Sequence, residues 1–261
     1  GVEMLKKGYV LRPNFWRGPT DNDFGASLQV KNAVWRNPEM VLEQLTFTPA
    51  EGENTLPTVK ALYNMPEVSA KLEMTYRMNN DGALQVTQQL RTDASRKDVP
   101  DMFRFGMQLV MPKQFDRIDY YGRGPEENYV DRNHSTFMGR YRQMVSDQFY
   151  PYVRPQETGS KSDVRWWKVV DVDGRGLAFS AEQPFFATAL HYLTSDLDDG
   201  DKKHQRHSGE LHERDLTCVS IDGRQMGLGC VDSWGSLPLP EYCLPYGDYT
   251  FTVVITPIEK K

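Results

Sequence analysis

The sequence lacks long apolar runs, and it has no excess of basic residues. A membrane-spanning helix needs roughly 20 consecutive apolar residues, and the apolar runs here are only a few residues long. No membrane partner is therefore expected. Lys and Arg total 31 against 36 acidic residues, which gives a net charge of −5. Nucleic-acid-binding domains usually carry a basic surface, so nucleic acid is not expected as a partner either.

Cysteine is scarce, with only Cys218, Cys230 and Cys243. An odd count cannot form a complete disulfide framework, and no pair has the C-x-x-C spacing of a metal site. Free cysteine behaves as a small apolar residue and is often buried. The three cysteines are therefore expected to be small core residues.

Alternation of apolar and polar residues dominates the chain. Between residues 68 and 78 the even positions are apolar and the odd positions polar, as in a half-buried strand. Residues 79–82 read NNDG, and Asn and Gly both tolerate positive φ angles in hairpin turns. Apolar residues then resume on one face at Leu84, Val86 and Leu90. The pattern predicts a β-hairpin.

Similar strand patterns occur at residues 103–111, 164–172, 216–221 and 249–255, with turns expected at Asp173-Gly174 and Asp222-Gly223. Short strands separated by turn residues predict an antiparallel all-β sandwich. Only residues 27–45 favour a helix. No linker or repeat is visible, so residues 1–261 are expected to form one domain.

Three segments rich in Gly, Pro, Asp and Asn interrupt the alternation, at residues 15–25, 121–129 and 225–235. Loops on a rigid scaffold commonly carry function. In the first, Asp21-Asn22-Asp23 offers oxygen ligands for a hard cation, but Phe24 occupies the position of a third ligand. An Asx-rich turn is the favoured interpretation.

The second segment contains Gly122-Arg123-Gly124, which resembles half of a phosphate-binding loop. Glu126 and Glu127 follow it and would repel a phosphate, so a tight turn is the better interpretation.

His204, His207 and His212 have H-x-x-H-x-x-x-x-H spacing, but they lie in a densely charged segment without a helical period. A solvated loop is therefore favoured over a zinc site.

Trp234 follows a Gly-rich stretch and precedes Gly235, so it is expected on a turn outside the strand alternation. Composition leaves two interpretations equally open. The indole packs against the protein, or its face receives the apolar face of a sugar.

The three segments, with a fourth at residues 150–153, also resemble family motifs. Residues 15–23 (FWRGPTDND), 121–132 (YGRGPEENYVDR), 150–153 (YPYV) and 222–234 (DGRQMGLGCVDSW) are similar to motifs of large β-galactosidases of glycoside hydrolase family two. They occur in the family's order and cover essentially the whole chain. The chain is thus identified as resembling the C-terminal domain of those enzymes, the small-chain domain or domain five.

The resemblance implies an all-β fold, a large antiparallel β-sandwich of the galactose-mutarotase-like type. It also implies an enzyme that hydrolyses terminal β-D-galactosides with retention through a galactosyl-enzyme intermediate. In the family, the catalytic glutamates and Mg²⁺ belong to a (β/α)₈ barrel in an earlier domain. The resemblance implies Na⁺ as well for the full-length enzyme. The chain alone is therefore expected to be inactive, with no catalytic residue and no cofactor of its own.

The implied partners are a galactoside substrate, the barrel and other domains of the same enzyme, and further copies in a homo-oligomer. The sequence leaves the localisation unknown, with the bacterial cytoplasm or periplasm favoured. The start at Gly1-Val2-Glu3 is expected for an excised C-terminal fragment.

The resemblance also assigns site residues. Trp234 aligns with a Trp that stacks on substrate, and Gly25 with a glycine at the base of a mobile closing loop. Gly25 would provide φ freedom there. The expected substrate-binding residues are Trp234, Gly25 and Asp23, and the expected loop supports are Asp21, Asn22 and Asp232. Cys230-Val231 stands where many family members have Gly-Asp.

Two other functions are compatible with a sandwich. The first is an autonomous carbohydrate-binding domain or an aldose mutarotase. A mutarotase would need an acid and a base in one cleft. His191, His207 and Glu241 are nominal candidates. A structural domain that supports oligomerisation is the other.

Overall fold

The structure of the chain is a computed structural model that describes residues 2–50, 56–232 and 234–259. It is 42% strand and 11% helix, and no helix among the described residues is long and apolar enough to cross a membrane. The strands are β1 (Arg12–Asn14), β2 (Val41–Thr48), β3 (Thr58–Met65), β4 (Ala70–Met78), β5 (Leu84–Thr92), β6 (Arg104–Met111), β7 (Arg117–Gly124), β8 (Phe137–Met144), β9 (Lys161–Val170), β10 (Gly176–Leu190), β11 (Thr217–Gln225) and β12 (Tyr249–Ile258).

Within the part of the chain that the structure describes, helical structure is confined to short segments. The α-helices are α1 (Asp21–Gly25) and α2 (Leu28–Lys31). Single 3₁₀ turns lie at Ala33–Trp35, Pro66–Val68, Val145–Gln148, Thr194–Asp196, Ser208–Glu210 and Pro240–Tyr242.

One antiparallel sheet contains the described strands, in the order β1-β6-β11-β10-β12-β5-β4-β3-β2, and β10 also carries β9, which continues to β7 and β8. The first part of β10 pairs with β12, with Phe179 opposite Ile255. Its last part pairs with β11, with Ala187 opposite Ile221. The long strand thus joins two parts of a curled sheet, which confirms the predicted antiparallel all-β fold.

The β4–β5 hairpin forms as its alternation predicts. Leu72 and Met74 are buried, whereas Lys71, on the opposite face of the strand, is exposed. Gly82 has a φ of +78° and donates its N–H to the Asn79 carbonyl at 3.1 Å, closing the turn. The predicted Asp173-Gly174 turn is also present, since Gly174 has a φ of +80°.

β6 differs from the prediction, because both of its faces are buried. Its polar residues are enclosed by partners from other strands and loops. Arg104 lies 2.7 Å from Glu157 and 3.2 Å from Asp222. Burial raises the pKa of Asp222 to about 6, although Arg104 and a hydrogen bond from Gln225 oppose the rise. A buried ion network therefore lies where the sequence predicted a solvated strand face.

Two predicted turns are wrong. β11 continues through Asp222-Gly223 with a bulge, and a Cβ at Gly223 would lie 2.6 Å from Phe251 Cδ2. Gly122 and Gly124 belong to β7, and a Cβ at Gly122 would lie 3.0 Å from Val164 Cα. These three glycines allow close approach between strands, and none of them has a positive φ.

Two further expectations were partly right. The helical signal of residues 27–45 ends at Trp35, and β2 begins at Val41 after Pro38. Cys218 is buried and Cys243 half-buried, but Cys230 is exposed, so the core prediction is wrong for Cys230.

Candidate functional site

The first Gly/Pro/Asp segment folds into a capped helix and not into a simple turn. Thr20 is the N-cap of α1, and its hydroxyl accepts from the Asp23 N–H at 3.1 Å. The Asp23 carboxylate accepts from the Thr20 N–H at 2.8 Å, which completes a capping box. This local chemistry fixes where Asp21, Asn22 and Asp23 point.

Asp23 also forms a buried ion pair with Arg17. Arg17 Nε and Nη2 donate to the two Asp23 oxygens at 3.0 and 2.7 Å, and both side chains are nearly inaccessible to solvent. The same guanidinium donates to the carbonyls of Met226 and Gly227 at 3.0 and 3.2 Å. Asp23 thus orients the arginine that holds the start of residues 226–236, the platform loop.

Asn22 fixes the rest of the platform loop. Its Nδ2 donates to Leu228 O and Ser236 O, each at 2.9 Å. Its Oδ1 accepts from the Gly235 N–H. One side-chain amide therefore links both ends of the loop, and Asn22 is itself buried.

Asp131, in the motif at residues 121–132, also supports the platform loop. Asp131 accepts from the Gly229 N–H at 2.9 Å. A Cβ at Gly227 would lie 2.4 Å from the same carboxylate, so only glycine lets the loop pass this close. Two motifs about a hundred residues apart in sequence thus hold the same loop.

The platform loop presents Trp234 at the surface, with 65% of the residue exposed. Trp16, Trp35 and Trp167 are by contrast buried. Lys203 Nζ lies 5.0 Å from the centroid of the Trp234 ring. Trp234 is thus an exposed indole on a loop whose backbone is held by buried groups.

Charged groups flank the indole. Asp21 accepts from Arg154 Nε at 2.9 Å and from Lys203 Nζ at 2.8 Å. Burial raises the pKa of Asp21, but the hydrogen bonds from Lys203 and Arg154 outweigh it and hold that pKa below its ordinary value. Arg154 also lies 4.7 Å over the ring of Phe24. Asp21 therefore holds Arg154 beside Phe24 and Lys203 beside Trp234.

Gly25 is close to Trp234, but for a different reason from the one expected. It is the last residue of α1 and does not have a positive φ. A Cβ there would lie 2.9 Å from Gly235 Cα and 3.3 Å from Trp234 Cδ2. The prediction of φ freedom at Gly25 is wrong. The position needs glycine because the helix end and the platform loop approach each other closely.

The segment after Gly25 is also more regular than a simple loop. Residues 28–31 form α2, with Leu28 and Gln29 buried. The positive φ lies at Ser27, at +61°. Mobility of this segment stays a prediction.

The remaining predicted residues are placed as follows. Asp232 accepts from the Ser236 hydroxyl within the platform loop, and Ser233 lies outside the described residues. Sequence reasoning missed Arg17, Asp131 and Lys203 as contributors. Arg17 and Asp131 stand inside the quoted motifs, and that membership was the available signal.

The three histidines predicted to lie in a solvated loop do so. His204, His207 and His212 are exposed. In the described ranges, no group of three His, Cys, Asp or Glu side chains could hold a metal ion. His191 is buried with Nδ1 2.8 Å from Leu216 O, whereas Glu241 is exposed. These side chains do not support the mutarotase alternative.

Comparison with known proteins identifies the family. The family model described as "Beta galactosidase small chain" matches residues 1–255. The chain therefore belongs to the β-galactosidase small-chain family, which confirms the resemblance seen in the motifs.

Relatives show how much of an enzyme the chain represents. The β-galactosidase of Priestia megaterium is 34% identical over 257 residues, which are 98% of this chain and 24% of that protein. That of Lactobacillus delbrueckii subsp. bulgaricus is 35% identical over 246 residues, 94% of this chain and 23% of that protein. The chain thus spans about a quarter of the length of these curated relatives.

Among solved structures, a galactose mutarotase related enzyme from Lactobacillus acidophilus is similar over 87% of this chain and 74% of its own. The identity is 11% and the TM-score 0.46.

Proposed function

We propose that this chain is the C-terminal domain of a retaining β-galactosidase and that Trp234 forms part of its substrate site. The catalytic glutamates, Mg²⁺ and Na⁺ belong to other domains of that enzyme in this proposal. The domain contributes an aromatic surface and the segment after Gly25, which closes over bound galactoside. Family membership supports the activity, and the exposure of Trp234 supports its role.

The observation that carries the proposal is the contrast between Trp234 and its supports. Its ring is largely exposed, yet the platform loop beneath it is held by the buried side chains of Arg17, Asn22 and Asp23. A rigid, exposed indole can receive the apolar face of a sugar while its N–H stays available for a hydrogen bond. A packing role alone would not require an exposed ring.

The test is Trp234→Ala in a β-galactosidase that carries this chain. An aromatic contact with burial contributes about 1–3 kcal/mol, so kcat/KM is expected to fall roughly tenfold to a hundredfold. Trp234→Phe should recover part of the loss. The thermal midpoint should hardly change, because the side chain is mostly exposed.

Trp166→Ala is the matched control. Trp166 is a half-buried indole on β9 that lies under Arg140 and Lys168, away from the platform loop. Its replacement should leave kcat/KM unchanged. If Trp234→Ala lowers stability while kcat/KM stays intact, Trp234 is a packing residue and the proposed role is wrong.

A further inference from the structure

We propose that a cavity separate from the Trp234 surface binds a small metabolite through an oxyanion, a phosphate or a carboxylate. The cavity has a volume of about 350 Å³ and lies between residues 8–16, β6 and residues 193–198. None of the described residues of the platform loop lines it. Its lining includes the side chains of Arg12, Asn14, Arg36 and Asp198.

Asn14 provides a buried donor without a partner. Its residue is 8% exposed, and its Oδ1 accepts from the Trp16 N–H at 3.3 Å. Its Nδ2 has no hydrogen-bond partner among the described residues. Leaving a buried donor unsatisfied is costly, so a ligand acceptor at this wall of the cavity would relieve the cost.

Arg12 provides a cation that no carboxylate neutralises. It is exposed on β1 and donates to Gln108 Oε1 at 2.8 Å, and it forms no ion pair with any described residue. A guanidinium has five N–H donors, so most of its donors remain for a ligand. Gln108 is held in turn by Thr194 and Ser220, each at 3.1 Å, which fixes the position of the pair.

Asp198, the acidic residue that lines the cavity, already has partners on both carboxylate oxygens. Asp198 Oδ2 accepts from Trp16 Nε1 at 2.8 Å and lies 3.1 Å from Arg36 Nε, while Oδ1 accepts from the Gly200 N–H at 2.8 Å. Arg36 stacks 4.8 Å over Trp16. Arg36 is also paired with Asp201, whose Oδ1 lies 3.0 Å from Arg36 Nη1. Both acids are therefore bound to Arg36, and Arg12 is the lining cation that no carboxylate of the described residues pairs with.

The unpaired Arg12 guanidinium and the free Asn14 amide select the class of ligand. A neutral sugar needs acceptors as well as donors, whereas phosphate and carboxylate only accept when ionised. Guanidinium groups bind both oxyanions through charge-assisted hydrogen bonds. The volume exceeds that of a bare anion, so the fitting ligand is a small polar molecule that carries the oxyanion.

The experiment titrates the 261-residue chain with inorganic phosphate, followed by isothermal calorimetry and by amide chemical shifts. Saturable binding is expected, with shifts around residues 8–16 and 193–198. Arg12→Gln should weaken binding about tenfold or more. Arg165→Gln is the matched control, because Arg165 is an exposed strand arginine on β9 that forms no ion pair with a described residue, and it should bind like the parent.

Asn14→Asp is a second variant that keeps the side-chain shape, and it should abolish binding because it replaces a donor with a charged acceptor. Galactose 6-phosphate and galacturonate then distinguish the two oxyanions, and tighter binding of either one supports the proposal. Absence of saturable binding would overturn it. So would equal weakening by Arg12→Gln and Arg165→Gln, or galactose that binds as tightly as the two anions.

Discussion

The β4–β5 hairpin and the polar interior beneath the platform loop differ in the kind of residues that they bury. In the hairpin, apolar residues such as Leu72 face the core and charged residues such as Lys71 face solvent. Beneath the platform loop, Arg17 and Asp23 are buried together, and Arg104 is enclosed nearby on β6. The hairpin is therefore stabilised mainly by apolar burial, whereas the platform loop depends on specific partners for buried charges.

The largest expected effect comes from breaking a buried partnership. Asp23→Ala leaves the Arg17 guanidinium buried without its carboxylate, and loss of one partner of a buried pair costs about 3–5 kcal/mol. The free energy of unfolding, measured in urea, should fall by that amount. The amide of Gly229 should also lose hydrogen-exchange protection.

Leu72→Ala is the comparison in the hairpin. It should cost a similar 2–5 kcal/mol by leaving a cavity. However, platform-loop amides should stay as protected, relative to global stability, as in the parent. If Asp23→Ala and Leu72→Ala reduce the hydrogen-exchange protection of the platform-loop amides equally, the two regions are not stabilised differently.

The next largest effect is the pH dependence of stability that the buried Lys161 causes. Lys161 is 2% exposed and donates to Gln148 Oε1 at 2.7 Å. Burial lowers its pKa to about 8, from an ordinary value of 10.5. Between these two values the unfolded chain holds the proton that the folded chain has released. The contribution of Lys161 to the free energy of unfolding should therefore rise from pH 8 to 10.5, by roughly 3 kcal/mol.

Lys161→Met removes this titration, so the difference in unfolding free energy between parent and variant should change over that pH range. Urea unfolding at successive pH values measures it. Lys97→Met, at an exposed lysine, should leave the pH dependence of the parent intact. A constant difference between parent and Lys161→Met would mean that Lys161 titrates normally.

A smaller effect is expected at the close approach of Gly25 and Gly235. Gly25→Ala introduces a Cβ into a 2.9 Å contact, and overpacking of this kind costs about 1–3 kcal/mol. The indole N–H resonance of Trp234 should shift. Gly209→Ala is the control, because a Cβ there meets nothing within 4 Å. An unchanged Trp234 resonance would show that the helix end does not position the loop.

The smallest effect is a gain. Cys230 has a φ of +62°, a conformation that glycine adopts without the steric cost paid by other residues. Cys230→Gly should raise the free energy of unfolding by about 0.5–1 kcal/mol. Cys243 has a φ of −78°, so Cys243→Gly should lower stability. A loss of stability in Cys230→Gly would mean that its side chain outweighs the backbone strain.

The resemblance of the motifs identified the family and singled out segments that lie in contact in the structure. It pointed to Trp234 and to the Asp21-Asn22-Asp23 triplet, which the structure places side by side. It did not show why Gly25 is glycine or that Arg17 and Asp131 hold the platform loop. Those facts depend on contacts between segments distant in sequence, such as the Gly229 N–H to Asp131 bond.

Alternation alone determined the hairpin, because side-chain direction in a strand follows from a period of two and one face meets water. The antiparallel all-β class follows from the same rule. Only the tertiary structure decided that both faces of β6 are buried, that Asp222-Gly223 is a bulge, and that Cys230 is exposed. Each depends on which segment packs against the strand or loop, and a local pattern does not contain that information.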